Sequence, residues 1–284
     1  MKAPAFDYLR ATSLPQVFEL LAQHGDDARV MAGGQTLLAT LNMRLSEPAL
    51  LIDITGLAEL RGISLGGQTL RIGALVTHTE IEHSALVAQH APLLAQAAPH
   101  IAHRAIRNRG TFGGALAYAD PAAEWPACVL ALGGTLVLAS TRGERRVAAR
   151  EYFQGLFSTA RQDDELLVAC ELPCIAAGGR HHFAELARRH GDYAVAGLAA
   201  CARVVGKVLH DVRLAFLSLG DRPLRARNAE AVLQGGPLTE ARLNEADAAL
   251  RAELAPFADL THSAATKTQL AATLMRRAVK QLAA

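Results

Sequence analysis

Cysteine is scarce in this 284-residue chain. Its four cysteines, Cys128, Cys170, Cys174 and Cys201, form no CxxC pair. Cys170 and Cys174 lie on an apolar stretch running through Pro173, which reads as a strand whose alternation puts both sulfurs on one side. Metal or iron–sulfur ligation needs further ligands close by, and none is present, so these cysteines read as buried structural thiols. Runs of five or six basic residues are also missing, and a formal net charge of +2 is too small for a nucleic-acid surface. No apolar stretch approaches a membrane span and the opening Met1-Lys2-Ala3-Pro4 is not followed by a signal-type segment, so a soluble cytoplasmic protein with no transmembrane segment is expected. GxGxxG and GxxxxGK[ST] are both absent, which disfavours the usual nicotinamide-binding fold and the P-loop. Internal repeats and low-complexity segments are lacking too.

Apolar residues, by contrast, make up 51% of the chain and charged residues only 20%, enough for a sizeable core and against disorder. The length fits two ordinary domains or one large one. The stretch from Arg29 to Arg44 stands out: a short apolar strand, then Gly33-Gly34, then a helix expected from Thr36 to Leu45. Paired glycines permit a sharp bend and let a ligand reach main-chain N–H groups without a Cβ in the way. The opening turn of a helix has unpaired N–H donors that suit phosphate. No Lys or Arg lies between Ala32 and Leu41, so an anion there would be held by backbone. The same pattern also serves as an ordinary turn, and this stretch alone does not separate the two readings.

Strands are expected at Phe6–Arg10, Leu50–Ile54, Thr69–Gly73, Thr135–Ala139, Arg145–Ala148 and Glu165–Leu172. Gly66-Gly67 joins Thr69–Gly73 to a preceding strand as a hairpin. Ser13 and Gln16 form a capping-box start for a helix that Gly25 stops. From Thr77 to Arg107 the pattern is helical, broken at Pro92 and Pro99, and it leads into a second glycine-rich link, Arg107 to Ala115. Another helix ends at Gly133-Gly134. Pro173 to Arg180 is the expected linker. Beyond it, three strands (His182–Ala187, Leu198–Val205, Val208–Leu219) with short connections read as antiparallel neighbours, followed by helices at Ala226–Leu233, Thr239–Leu254 and Ser263–Leu282. The expected fold class is α+β, of mixed α/β type, with domains at 1–175 and 176–284.

Two glycine links about eighty residues apart suggest one anionic group gripped from two sides. Arg107 and Arg109 border the second link, either as ligand contacts or as solvated charges. His100 and His103, and the adjacent His181 and His182, lack a properly spaced third ligand and read as surface or supporting histidines; no metal site is expected.

Ala32-Gly-Gly-Gln-Thr36 and Arg107-Asn-Arg-Gly-Thr-Phe-Gly-Gly114 resemble the two FAD-pyrophosphate motifs of the flavin-carrying medium subunit of molybdenum hydroxylases. That family includes bacterial carbon monoxide dehydrogenase, quinoline oxidoreductase and the flavin domain of xanthine dehydrogenase. Further matching segments are Phe6-Asp-Tyr, Leu51-Ile-Asp-Ile, Ile72-Gly-Ala, Asp120-Pro-Ala-Ala-Glu124 and Arg188-Arg-His-Gly-Asp-Tyr193, so the resemblance covers nearly the whole chain.

The resemblance implies a PCMH-type FAD-binding domain of two α/β lobes and a C-terminal domain that covers the flavin from one side. It places non-covalent FAD at Ala32, Gly33, Gly34, Gln35, Thr36 and Leu37 on one link, and at Gly110, Thr111, Gly114 and Ala115 on the other. Ile101, Ala102 and Tyr118 are implied beside the flavin and its linker, Glu124 at the adenosine ribose, and Leu167, Asp192 and Tyr193 at the isoalloxazine edge. Bland readings stand beside these: Glu124 as a helix-start charge, Tyr193 as a core aromatic with a satisfied hydroxyl. No catalytic residue is implied in this chain. The implied partners are a large subunit with the molybdenum cofactor and a small subunit with two [2Fe–2S] clusters, in a dimer of heterotrimers that reduces an external acceptor.

Two departures from the family pattern matter. Ala115 replaces the usual Asn of Thr-Ile-Gly-Gly-Asn, removing a side-chain amide. Ala184 falls where the xanthine-dehydrogenase lineage has a ring-side lysine, which puts NAD as acceptor in question. A stand-alone flavin oxidoreductase and a flavin-less assembly subunit are the alternatives; no acid/base pair supports the first, and intact glycine pairs oppose the second.

Overall fold

A computed structural model describes residues 2–284. The first lobe is a three-stranded parallel sheet with Leu50–Asp53 between Asp7–Arg10 and Ala28–Met31. All four residues of the central strand are buried, as a strand covered on both faces requires. Leu14–His24 packs on this sheet; Ser13 caps its start and Gly25 ends it at φ 49°. Asp53, buried at the strand end, accepts from Tyr8 Oη at 2.5 Å and from Thr55 N at 2.7 Å, so its carboxylate is satisfied.

The second lobe is a five-stranded antiparallel sheet in the order Ile63–Gly66, Thr69–Gly73, Leu166–Pro173, Thr135–Ser140, Gly143–Ala148. Leu166–Pro173 therefore inserts between two strands that precede it in the chain, Thr69–Gly73 and Thr135–Ser140, and the helices between His78 and Leu132 connect those two. Those helices are shorter than the sequence implies. Ser84 caps a new helix, Ala85–His90, before Pro92 acts, because its hydroxyl accepts from Val87 N at 3.3 Å.

A four-stranded antiparallel sheet follows: Gly179–Ala187, Ala194–Val205, Val208–Leu217 and the short Leu224–Arg225. Three strands were expected; the fourth has two residues, too few to leave a period-two pattern in the sequence. Ala194–Val205 alternates between two faces from Ala196 to Ala202. Ala196, Leu198, Ala200 and Ala202 face the core under helices Glu240–Glu253 and Ala264–Ala283, whereas Ala199 and Cys201 face the second lobe. Helix Glu124–Leu132 lies between this sheet and the five-stranded one, with every residue after Glu124 buried. One apolar cluster thus runs from Leu136 and Leu172 through Val129 to Ala215 and Leu217. The expected linker is only a short turn, tied down by bonds from Cys174 N to Gln68 O (2.9 Å) and Ile175 N to His90 O (2.8 Å).

Cys128, Cys170 and Cys201 are buried free thiols and Cys174 is half-buried. Burial pushes the Cys170 and Cys201 thiols far up, Cys201 to about 12, so these are inert packing groups. Among the described residues there is no cluster of potential metal ligands, and no helix is long and apolar enough to cross a membrane.

Candidate functional site

The two glycine links, far apart in sequence, touch in space. A Cβ on Gly33 would overlap the carbonyl oxygen of Arg109, and one on Gly114 would lie 3.8 Å from Ala32 Cβ. Glycine at 33 is therefore what lets the two bends meet. Next to it, Gly34 adopts φ 71°, a left-handed turn that side chains disfavour. Together the links floor a cleft of about 960 Å³, at the upper end of pockets that bury a small molecule or cofactor. All seventeen residues named from the sequence line it: Ala32 to Leu37, Ile101, Ala102, Gly110, Thr111, Gly114, Ala115, Tyr118, Glu124, Leu167, Asp192 and Tyr193.

The links are not equivalent. At the first, the N–H groups of Gly33, Gly34, Gln35, Thr36 and Leu37 donate to no acceptor among the described residues. The helix that follows is only Leu37–Asn42, cut short as Arg44 turns left-handed at φ 56°. Six residues make a weak macrodipole, so the attraction for anions resides in the consecutive amides rather than in a long helix.

At the second link most amides are already committed. Phe112 N donates to Val76 O (2.8 Å), Gly113 N to Ala74 O (3.0 Å) and Ala115 N to Thr111 O (3.1 Å). Gly114 N, expected to face the ligand, donates at 3.1 Å to Thr111 Oγ1, the cap of helix Phe112–Tyr118. Thr111 N–H has no acceptor among the described residues.

Arg107 is not on the cleft. It is 9% exposed, paired with Glu82 at 2.8 Å, and donates to Ile101 O (3.0 Å) and Ala102 O (3.3 Å). It holds the carbonyls of the 101–102 bend inward, where Ala102 sits at φ 43°. Gly191 packs on that bend from the C-terminal sheet; a Cβ there would come within 3.0 Å of Ala102 O. The Asp192–Tyr193 turn is thereby seated over Ile101 and Ala102.

Glu124 lines the same cleft. Burial first, then the charges of Glu185 and Asp120, raise its carboxyl to about 8, so it is protonated at neutral pH. Asp120 and Tyr118 lie within electrostatic reach of the Tyr193 phenol. Glu124 and Tyr193 likewise lie within electrostatic reach of each other across the cleft. The Ala184 position is corrected too. Strand alternation turns Ala184 into the helix-covered core, and Glu185 is the residue on the Glu124 side. Glu185 is nearly buried, 3.5 Å from His100 Nδ1, with Oε2 lacking a donor.

Among the wall residues that sequence reading did not name, Phe157, Arg161 and His78 stand out. Phe157, at the tip of the small hairpin Phe153–Gly155 with Ser158–Thr159, turns left-handed (φ 53°) and packs on Tyr118 at 4.9 Å between ring centroids. Arg161 is pinned by Gln162 O (2.8 Å) and Glu165 O (2.9 Å). His78 accepts from Trp125 Nε1 at 2.9 Å. Only the Thr77/Glu80 capping box, which places His78 at a helix start, leaves a trace in the sequence.

A parallel lobe and an antiparallel lobe thus enclose a large cleft floored by free amides, a site suited to a sizeable anionic cofactor. Residues 4–175 match the FAD binding domain in molybdopterin dehydrogenase, and residues 181–282 match the CO dehydrogenase flavoprotein C-terminal domain. The chain is 37% identical over 284 residues to the caffeine dehydrogenase subunit beta of Pseudomonas sp. (strain CBB1), covering 100% of this chain and 96% of that one. It is 35% identical over 279 residues to the carbon monoxide dehydrogenase medium chain of Hydrogenophaga pseudoflava, covering 98% and 97%. The solved carbon monoxide dehydrogenase of that organism superposes with a TM-score of 0.96 at 37% identity, covering 99% and 98%. Quinoline 2-oxidoreductase from Pseudomonas putida 86 gives 0.94 at 37% identity, covering 100% and 98%. The chain belongs to the FAD-binding medium subunits of the carbon monoxide dehydrogenase and xanthine dehydrogenase family, and is an oxidoreductase flavoprotein component.

Proposed function

We propose that this chain is the electron-transfer subunit of a multi-subunit molybdenum hydroxylase. It takes electrons from two [2Fe–2S] clusters on a small partner and passes them to an external acceptor. A large partner holds the molybdenum cofactor and the substrate site, and the whole is a dimer of heterotrimers in the cytoplasm. Residues 1–175 hold FAD between two lobes, and 176–284 close over it. The observation that carries this reading is the row of five free amides at Gly33–Leu37, set against the second link on the floor of a cofactor-sized cleft.

Five consecutive unpaired N–H groups fit a diphosphate, because each gains a charge-assisted bond without bringing a competing cation. Thr111 closes the grip from the other side. Ile101 and Ala102 offer an apolar wall, kept free of carbonyl oxygens by Arg107. Glu124, held protonated, serves as a hydrogen-bond donor to the bound FAD. Leu167 lines the wall and Asp192–Tyr193 cover the ring. Bound FAD would supply a centre able to exchange electrons singly with iron–sulfur clusters and in pairs with an acceptor. The protein's own task is to hold that ring in place and shield it.

Purifying the natural complex tests this. One FAD per copy of this chain is expected, with companion chains carrying molybdenum and iron–sulfur clusters. A colourless protein would instead support the assembly-subunit alternative.

A further inference from the structure

His78 and Trp125 meet behind the second glycine link, and their contact fixes the imidazole proton. The indole Nε1–H can only donate, so His78 Nδ1, 2.9 Å away, is the acceptor. The ring is 6% exposed; burial, helped by the nearby Arg107 charge, lowers its pKa to about 4. It is neutral at physiological pH. A neutral imidazole whose Nδ1 accepts carries its single proton on Nε2.

That Nε2–H lies against Gly110, where a Cβ would come within 2.6 Å of it. Both residues line the cleft, and Nε2 has no acceptor among the described residues. That nitrogen is not sealed inside the protein but opens on the cleft, so an acceptor bound there is within its reach. The amides of Phe112, Gly113, Gly114 and Ala115 are committed elsewhere, so this wall has few donors left for an anion.

We infer that His78, locked by Trp125 in its Nε2–H form, is a ligand of the bound dinucleotide and donates to an oxygen of its diphosphate bridge. This rests on reading the cleft as the FAD site. Because the imidazole is neutral, its contribution does not change between pH 6 and 9. Glycine at 110 is then required by the imidazole that stands beside it.

Three variants of the full chain and one structure test the assignment. His78→Gln keeps an amide oxygen for Trp125 and an NH2 for the ligand. His78→Leu removes both, and Gly110→Ala drives a methyl into Nε2. Deflavinated protein is titrated with FAD and checked for native circular dichroism. His78→Leu and Gly110→Ala should bind roughly 10- to 100-fold more weakly, as for a lost bond to a charged acceptor. His78→Gln should stay near the unsubstituted affinity. A folded His78→Leu protein that binds FAD undiminished overturns the inference. Should His78→Leu not fold, a crystal structure of the FAD-loaded protein decides. Nε2 within hydrogen-bond distance of a phosphate oxygen supports the assignment, and Nε2 bonded only to water or to protein overturns it. Protein that binds no FAD in any form would refute the cleft reading itself.

Discussion

Opposed titrations of two wall residues make the cleft sensitive to pH in both directions. Glu124 titrates near 8 in the folded chain, above the ordinary carboxylate value. Its contribution to stability is therefore complete below about pH 4.3 and is lost as pH rises through 8. His78, lowered to about 4, runs the other way: its contribution is complete above about 6.5 and is lost as pH falls through 4. Glu124→Gln, neutral throughout, should flatten the loss between pH 5 and 9 while leaving the acid side unchanged. Thermal midpoints of flavin-depleted protein across that range check this; a profile parallel to that of the unsubstituted chain would count against a protonated Glu124. At this scale residue types were readable from the sequence but pairings were not. Trp125 and His78 are forty-seven positions apart, and nothing local signals that an indole will fix an imidazole tautomer. Likewise Thr111 and Gly114 read from the sequence only as ligand contacts, and it is the geometry that shows Thr111 capping a helix and consuming Gly114 N–H.

Among elements, the two bends depend on each other. A methyl at Gly33 meets main chain on the far side, which cannot rotate away as a side chain would. Gly33→Ala should cost about 1–3 kcal/mol or more, as overpacking does, and should release FAD by parting the bends. Gly66→Ala, where a Cβ has open space, is the control. Denaturant midpoints and flavin content check both; equal flavin retention in the two variants would mean the bends need not touch. The first bend was plain in the sequence as paired glycines between an apolar strand and a helix, whereas at the second Gly113-Gly114 turn out to lie inside helix Phe112–Tyr118. Helix lengths were less legible. Leu37–Asn42 stops where Arg44 turns left-handed, although the apolar pattern continues to Leu45. The strand Leu224–Arg225 owes its existence to its neighbour Val208–Leu217 rather than to its own composition.

Across the whole molecule, the two family domains share one apolar cluster through helix Glu124–Leu132. The turn bearing Asp192 and Tyr193 is therefore held at a fixed place over the cleft, and Gly191 on the 101–102 bend reinforces it. The near-continuous apolar residues of Ala194–Val205 suit a strand buried on both faces. They did not reveal which face would meet the second lobe, since Ala and Cys suit either side equally.

Amide hydrogen exchange, with and without FAD, tests the central claim that main-chain N–H groups at the first bend hold the diphosphate. Segments containing residues 33–37, whose amides are unpaired, should exchange much more slowly once FAD is bound. Residues 112–115, already bonded within the protein, should change little by comparison. Unaltered exchange at 33–37 in a protein that has taken up FAD would contradict it.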